Sequence, residues 1–362
     1  MGSAAKEKSV SQSNNLHQAA KSLPNRTLGR PTAPCPLAKF QIIDSAQLAK
    51  LSKADRMAYR SKLISAGRAK LKSIPDGSTK QNLTEACSRL ERNNQAMEMA
   101  RLSDSVYQDE GAPEGWTRIS DSDSLKDLPP DLQDPKLWND PKTNFHAALY
   151  RSDNGQIVLA FRGTDMKSRK DWTANVMQGW GSDTPQYTEG ITLAQKIVSN
   201  FPGMEITGHS KGGGIGSAAA AVTGAPATVF NPAGVNANTV APYKVTLDKA
   251  AENSTYYDVK GQILDDINGK TVFGHTVPIP IGTRIQLPAV DESGTPMKFP
   301  SPPEPPKNQW SIAQDWAYDK AAAGYLSKVF QQQVDRHMMN TVENGIEEEK
   351  REDIESIEQS LR

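Results

Sequence analysis

The run Met204-Glu-Ile-Thr-Gly208-His209-Ser210-Lys211-Gly212-Gly213-Gly214 decides how this chain is read. Its first four residues form a short β-like run, and Gly213 to Val222 continues as an Ala-rich segment of helical character. Between them Gly208 to Gly212 spell G-x-S-x-G. The bare pattern is weak, because Gly and Ser are common residues. A strand before it and a helix after it make it strong, since strand–turn–helix is the setting that holds such a serine exposed on a sharp bend. The glycines have a steric reason to be there. Positions two residues either side of the serine pack against each other, and a Cβ at Gly208 or Gly212 would clash. The helix that follows aims the N–H groups of its first turn at the hydroxyl, where they stabilise developing negative charge. Two other glycine-rich readings fail. A P-loop needs Gly directly before the Lys, and here Lys211 follows Ser210. Gly212-x-Gly214-x-x-Ser217 lacks the third glycine of a dinucleotide fingerprint, and no acidic residue follows it until Asp248.

Working outward, strand and helix alternate. His146–Tyr150 and Gln156–Phe161 are β-like runs joined by the turn Ser152-Asp-Asn-Gly155. Ile157–Phe161 is apolar at consecutive positions, as a strand buried on both faces is. Tyr187, Ile191, Ala194, Ile197, Val198 and Phe201 keep helical spacing until Asn200-Phe-Pro-Gly203 ends the helix. Ala227–Phe230 and Ser254–Val259 are two more strands. This rhythm predicts an α/β fold, a mostly parallel sheet with flanking helices. Gln309–Arg362 reads as mostly helical with an interruption near Gly345. Its apolar stripe of Ile346, Ile354, Ile357 and Leu361 predicts an amphipathic helix docked on the domain. Phe299–Pro306 is a Pro-rich extended spacer. Upstream, residues 1–34 are polar and read as a disordered or adapter-like tail. Residues 35–90 read as a helical N-terminal region, with a helix from Leu83 to Val106 leading into a main domain at 91–362.

Composition removes several classes. The 42 Lys and Arg balance 42 Asp and Glu, so no net positive field holds a nucleic acid. Two cysteines, Cys35 and Cys87, cannot build a disulfide framework or a four-ligand zinc site. No apolar stretch reaches bilayer-spanning length. The start, Met1 to Lys8, has no apolar core of a Sec signal, so synthesis in the cytoplasm without Sec export is expected.

An elbow serine needs a base, and the base an orienting partner; on this architecture they follow the serine in the order acid, then histidine. Of five histidines, His17 lies in the polar tail, His146 in an early strand and His209 beside the serine, facing another direction. His337 is the expected base and His275 the alternative. The loop after strand 254–259 carries Asp265 and Asp266, of which Asp265 is preferred as the acid; Asp258, within the strand, is a poorer third. The oxyanion hole needs two backbone donors. Lys211, directly after the serine, supplies one, and Thr164 in Phe161-Arg-Gly-Thr164 supplies the other.

Phe161-Arg-Gly-Thr164 together with Gly208-His-Ser-Lys-Gly-Gly213 resembles the class 3 lipases of the alpha/beta-hydrolase fold, and in particular their bacterial type VI secretion lipase effector branch. Asp171-Trp172, Asn175, Gln178-Gly179, Phe230–Gly234, Arg284–Pro288 and His337-Met-Met are similar to that branch as well. The resemblance implies Ser210 as nucleophile, Thr164 as oxyanion donor and His337 as base, with no metal or organic cofactor. The acid departs from the pattern: fungal-type members carry Asp one or two residues past the strand, where this chain has Gly261-Gln262. The implied activity is a phospholipase A on membrane glycerophospholipids. The implied partners are a membrane surface, a secretion-apparatus component and an immunity protein, with delivery into the periplasm of a target cell. A soluble small-ester esterase and a non-catalytic binding module with a degenerate triad are the alternatives.

Overall fold

The doubly apolar run 157–161 becomes a fully embedded strand. In the computed structural model, which describes residues 41–43, 45–108, 111–164, 185–265, 267–272, 275–304 and 312–362, eight strands form the main sheet. They are β1 (Trp116–Arg118), β2 (Asn139–Asp140), β3 (Phe145–Ser152), β4 (Ile157–Phe161), β5 (Glu205–His209), β6 (Ala227–Phe230), β7 (Ser254–Val259) and β10 (Thr283–Leu287). The spatial order is β1-β3-β4-β5-β6-β7-β10, with β2 also on β3. The β1, β2 and β4 pairings to β3 are antiparallel, and everything from β4 to β10 is parallel. A separate hairpin is made of β8 (Thr271–Val272) and β9 (His275–Thr276). The sheet is therefore the mostly parallel one that the alternation predicts, and its parallel strands end together, at the edge where sites of open α/β sheets lie.

Both faces are covered, as parallel sheets require. On one face lie α4 (Pro185–Asn200) and α5 (Lys211–Thr223). There Ile191, Ala194, Ile197 and Ile215 close on Leu159, Phe161, Ile206 and Val229. The other face is covered from the two ends of the described chain. α3 (Ser78–Ser105) brings Met99, Ala100 and Leu102, and α7 (Met339–Leu361) brings Met339, Val342 and Ile346, onto Tyr150, Val158, Phe230 and Tyr257. Before α3 come α1 (Ser45–Lys50) and α2 (Lys53–Lys70); before α7 comes α6 (Ile312–His337).

Polar ties lock α7 to the N-terminal helices. Arg89 donates to the buried Asp353 carboxylate at 2.7 Å, Asn93 to Glu349 at 2.9 Å and Arg60 to Glu347 at 2.8 Å. Lys350, 1% exposed, reaches Glu347 at 2.8 Å; burial among these charges pushes its ammonium down to about 8. Residues 45–362 form one unit, and the expected boundary at 90/91 falls within the single helix α3. The tail 1–34 lies outside the described residues.

The expected interruption near Gly345 is displaced. The helices part at Met338, whose ψ of 150° stops the helical path directly after His337. Gly345 lies inside α7, where a Cβ would stand 2.8 Å from the Pro288 carbonyl oxygen. That glycine serves the approach of α7 to the end of β10.

Cys87 reports on this packing. It is 1% exposed beneath α2, and burial pushes its thiol up. A chain beginning at residue 78 loses Cys35 with α1 and α2 and keeps Cys87 as its sole cysteine. Its urea midpoint is expected to fall and Cys87 to react readily with a thiol reagent; a midpoint unchanged and a thiol still inert would show α2 to be dispensable.

Candidate active site

Strand β5 ends at His209 and α5 begins at Lys211, so Ser210 makes the whole turn. It does so with φ 57° and ψ −125°, left-handed backbone that a residue with a Cβ enters only under constraint. The constraint is visible. Ser210 N–H donates to the Phe230 carbonyl at 3.0 Å, and its own carbonyl accepts from Gly214 at 3.1 Å and Ala233 at 2.9 Å. A Cβ at Gly212 would lie 2.1 Å from the Phe161 carbonyl oxygen, and one at Gly208 2.5 Å from that of Gly212. Only bare backbone lets the start of α5 tuck under the end of β4.

The Arg162-Gly163-Thr164 loop leaves β4 at this point. A Cβ at Gly163 would stand 3.3 Å from Ser210 Cβ, so the loop borders Ser210 directly. Thr164 is buried. Lys211 is the first residue of α5, and the N–H groups of a helix's first turn have no partner within the helix. Thr164 thus follows the glycine that borders Ser210, and Lys211 follows Ser210 directly in the chain. Burial, with Arg162 adding repulsion, pushes the Lys211 ammonium down to about 8.

His337 ends α6 with no exposed surface. Its Nδ1 lies 2.8 Å from Gln262 Oε1. The same Oε1 accepts the Leu264 N–H at 2.9 Å, so that atom is an oxygen and Nδ1 must be the donor. The imidazole is therefore the Nδ1–H tautomer, with its lone pair on Nε2, as a general base toward a hydroxyl requires. Burial, and the neighbouring His209, hold its pKa well below the ordinary histidine value. The backbone of His337 is held as firmly. Its carbonyl accepts from His209 Nε2 at 2.7 Å and from Asn231 Nδ2 at 2.9 Å. Asn231 also accepts the Val259 N–H at 2.9 Å, tying the ends of β6 and β7 to the end of α6.

The acid expected at Asp265 is not brought to the base. Its Oδ1 pairs with Arg284 at 2.6 Å and its Oδ2 accepts the Gly261 N–H at 3.1 Å. Arg284 also binds Asp258 at 2.9 Å, so both carboxylates belong to one ion cluster on that side of the sheet. The turn after β7 directs Gln262, 2% exposed, into the place expected for Asp. Asp266 lies outside the described residues, as do Asp171, Trp172, Asn175 and Gln178. His275, the alternative base, is placed in the β8–β9 hairpin. Sequence reasoning marked Gln262 only as an uncharged residue at the place of the acid, and gave no individual role to Asn231 or Tyr107. For Gln262 the signal was its position just past β7 and for Asn231 its place in the Phe230–Gly234 stretch; for Tyr107 no local signal exists.

Residues 98–284, just over half of the chain, match the family model of the Tle-like phospholipase domain. The chain belongs to that family. It is also 37% identical over 155 residues to an extracellular phospholipase A1 of Serratia liquefaciens, a stretch covering 42% of this chain and 46% of that protein. The chain thus spans a little under half the length of the curated relative that it matches. Within the Tle-like phospholipase domain lie Thr164, Ser210, Lys211 and Gln262. His337 follows it in sequence and is returned to it by α6.

A neutral amide orients His337 but does not stabilise its imidazolium, which gives a test in pH. Replacing Gln262 by Met removes the Nδ1 acceptor and is expected to lower kcat by roughly 10²–10⁴-fold through loss of the correct tautomer. Gln262→Glu restores a charge, raises the His337 pKa and moves the acidic limb of kcat/KM to higher pH, with turnover retained. Gln262→Met at wild-type rate, with Gln262→Glu leaving the limb in place, would remove Gln262 from the site.

Proposed function

We propose that this chain is a serine phospholipase A, hydrolysing an acyl ester of membrane glycerophospholipids. The observation that carries the reading is the elbow serine, bordered by Gly163 of the loop after β4 and adjoining His209, whose ring holds the carbonyl of His337, an imidazole with its hydrogen on Nδ1, within a Tle-like phospholipase domain. In the proposed reaction Ser210 Oγ attacks the ester carbonyl carbon while its proton passes to His337 Nε2. The carbonyl π electrons move to the oxygen, which the N–H groups of Lys211 and Thr164 receive. Collapse breaks the carbon–oxygen bond to the glycerol, and His337 returns the proton to the departing lysophospholipid. Water, deprotonated by His337, then attacks the acyl-serine ester, and collapse releases the fatty acid and regenerates Ser210.

The biological setting is proposed on the resemblance to secreted antibacterial lipases, supported by the relative named as extracellular. The chain is made in the bacterial cytoplasm, carried by a secretion-apparatus component into the periplasm of a target cell, and neutralised in its producer by an immunity protein. The polar residues 1–34 are the segment proposed for carriage. Gln262 specifically favours one other reading, a binding module that has kept the fold while losing its acid.

One experiment separates these. Directed to the periplasm of a bacterial host, the wild-type chain is expected to stop growth and to leave lysophospholipid and free fatty acid in the extracted lipids, while Ser210→Ala does neither. Hydrolysis of purified phospholipid vesicles without toxicity would remove the effector setting and keep the enzyme. Turnover of short soluble esters alone would identify an esterase, and turnover of neither substrate a binding module.

A further inference from the structure

His209 is 1% exposed and has no part in the steps above, yet both of its ring nitrogens are engaged. Nε2 lies 2.7 Å from the carbonyl oxygen of His337. A carbonyl only accepts, so Nε2 carries the hydrogen and Nδ1 the lone pair. Nδ1 lies 3.0 Å from the Tyr107 hydroxyl, which must therefore donate to it. The hydroxyl oxygen in turn accepts the Gly163 N–H at 3.1 Å. Every donor and acceptor is thereby fixed in one direction: Gly163 N–H to Tyr107, Tyr107 O–H to His209, His209 Nε2–H to the backbone of His337. The four residues come from the loop after β4, the turn directly after α3, the last residue of β5 and the end of α6.

We infer that Tyr107 and His209 are positioning residues that hold the oxyanion loop and the base in fixed register on either side of Ser210. The inference rests on the serine-hydrolase reading of the site. Its physical basis is that α6 ends at the catalytic imidazole, and terminal helix carbonyls need outside donors. Here a side chain adjoining the nucleophile supplies one, so the base is referenced to the elbow itself. The next group along, Tyr107, references the same elbow to the oxyanion loop through Gly163. The relay needs a neutral His209, because an imidazolium would have to donate from Nδ1 and reverse the bond to Tyr107. It would also place a positive charge on a ring 4.9 Å, centroid to centroid, from that of His337. Burial pushes the His209 imidazole down to about 4, which keeps it neutral.

The test compares Tyr107→Phe, His209→Phe, their double variant and His209→Gln on p-nitrophenyl butyrate, with ¹⁵N NMR of the histidine rings in the wild-type chain. Tyr107→Phe keeps the ring packing and is expected to lower kcat roughly 10-fold or more with KM within about 2-fold, since groups acting as a unit are lost in the transition state. The double variant is expected to be no slower than His209→Phe, and His209→Gln, which keeps a donor for the His337 carbonyl, to recover part of the loss. Additive losses, or Tyr107→Phe at the wild-type kcat, would overturn the relay. A wild-type chain inactive on every ester would instead remove the hydrolase reading. The hydrogen-bond chain is then judged by NMR alone: a neutral Nε2–H tautomer at His209 at pH 7 supports it, and an Nδ1–H tautomer or an imidazolium refutes it.

Discussion

The structure depends on one close approach of backbone to backbone, that of Gly212 to the carbonyl of Phe161. A Cβ there would stand 2.1 Å from that oxygen, closer than any side chain tolerates. With the glycine in place, α5 starts directly beneath the end of β4, and Ser210 is forced into left-handed backbone between them. Three main-chain hydrogen bonds, to Phe230, Gly214 and Ala233, keep it there. The strain is local, and it turns the one residue between β5 and α5 toward the edge of the sheet where the parallel strands end.

The remaining groups are arranged around that bend by polar contacts made out of water. His337, His209, Gln262 and Asn231 are each at most 2% exposed. In so dry a setting an unmet donor or acceptor is costly, so a network whose partners are matched holds its geometry firmly. The hydrogen bonds place one N–H on each ring, and burial, which keeps both imidazoles neutral, leaves the lone pair on the other nitrogen. This gives His337 its lone pair at Nε2 and His209 its hydrogen at Nε2, on the side facing the His337 carbonyl. The break at Met338 has the same logic: α6 must stop where its last carbonyl can be met by His209 and Asn231, and α7 then departs to cover the sheet.

Much of this was legible in the residues because it is local. The strand before Gly208, the helix after Gly212 and the doubly apolar strand 157–161 each follow from periodicity and turn chemistry over a dozen residues. So does the parallel alternation from 157 to 259. What was not legible is what depends on contacts far apart in sequence. Tyr107 meets His209 across 102 positions, and Asn231 meets His337 across 106. Asp265 carries the charge expected of a triad acid, but Arg284, brought alongside by the β7–β10 pairing, claims its carboxylate. Gln262 was discounted for lacking charge, whereas its place in the turn sets its contact with His337. Gly345 looked like a helix break because glycine disfavours helices, but here the tight packing of α7 on β10 outweighs that propensity.

In the proposed reaction the residue forced onto this bend is a nucleophile activated by His337. The most direct measurement is the rate at which a fluorophosphonate probe modifies the folded chain, with the labelled residue located by peptide mass spectrometry. Rapid, stoichiometric phosphonylation at Ser210 is expected, abolished by Ser210→Ala and strongly slowed by His337→Ala. Labelling at another residue, or a Ser210 that stays unmodified while the chain is folded, would contradict that role.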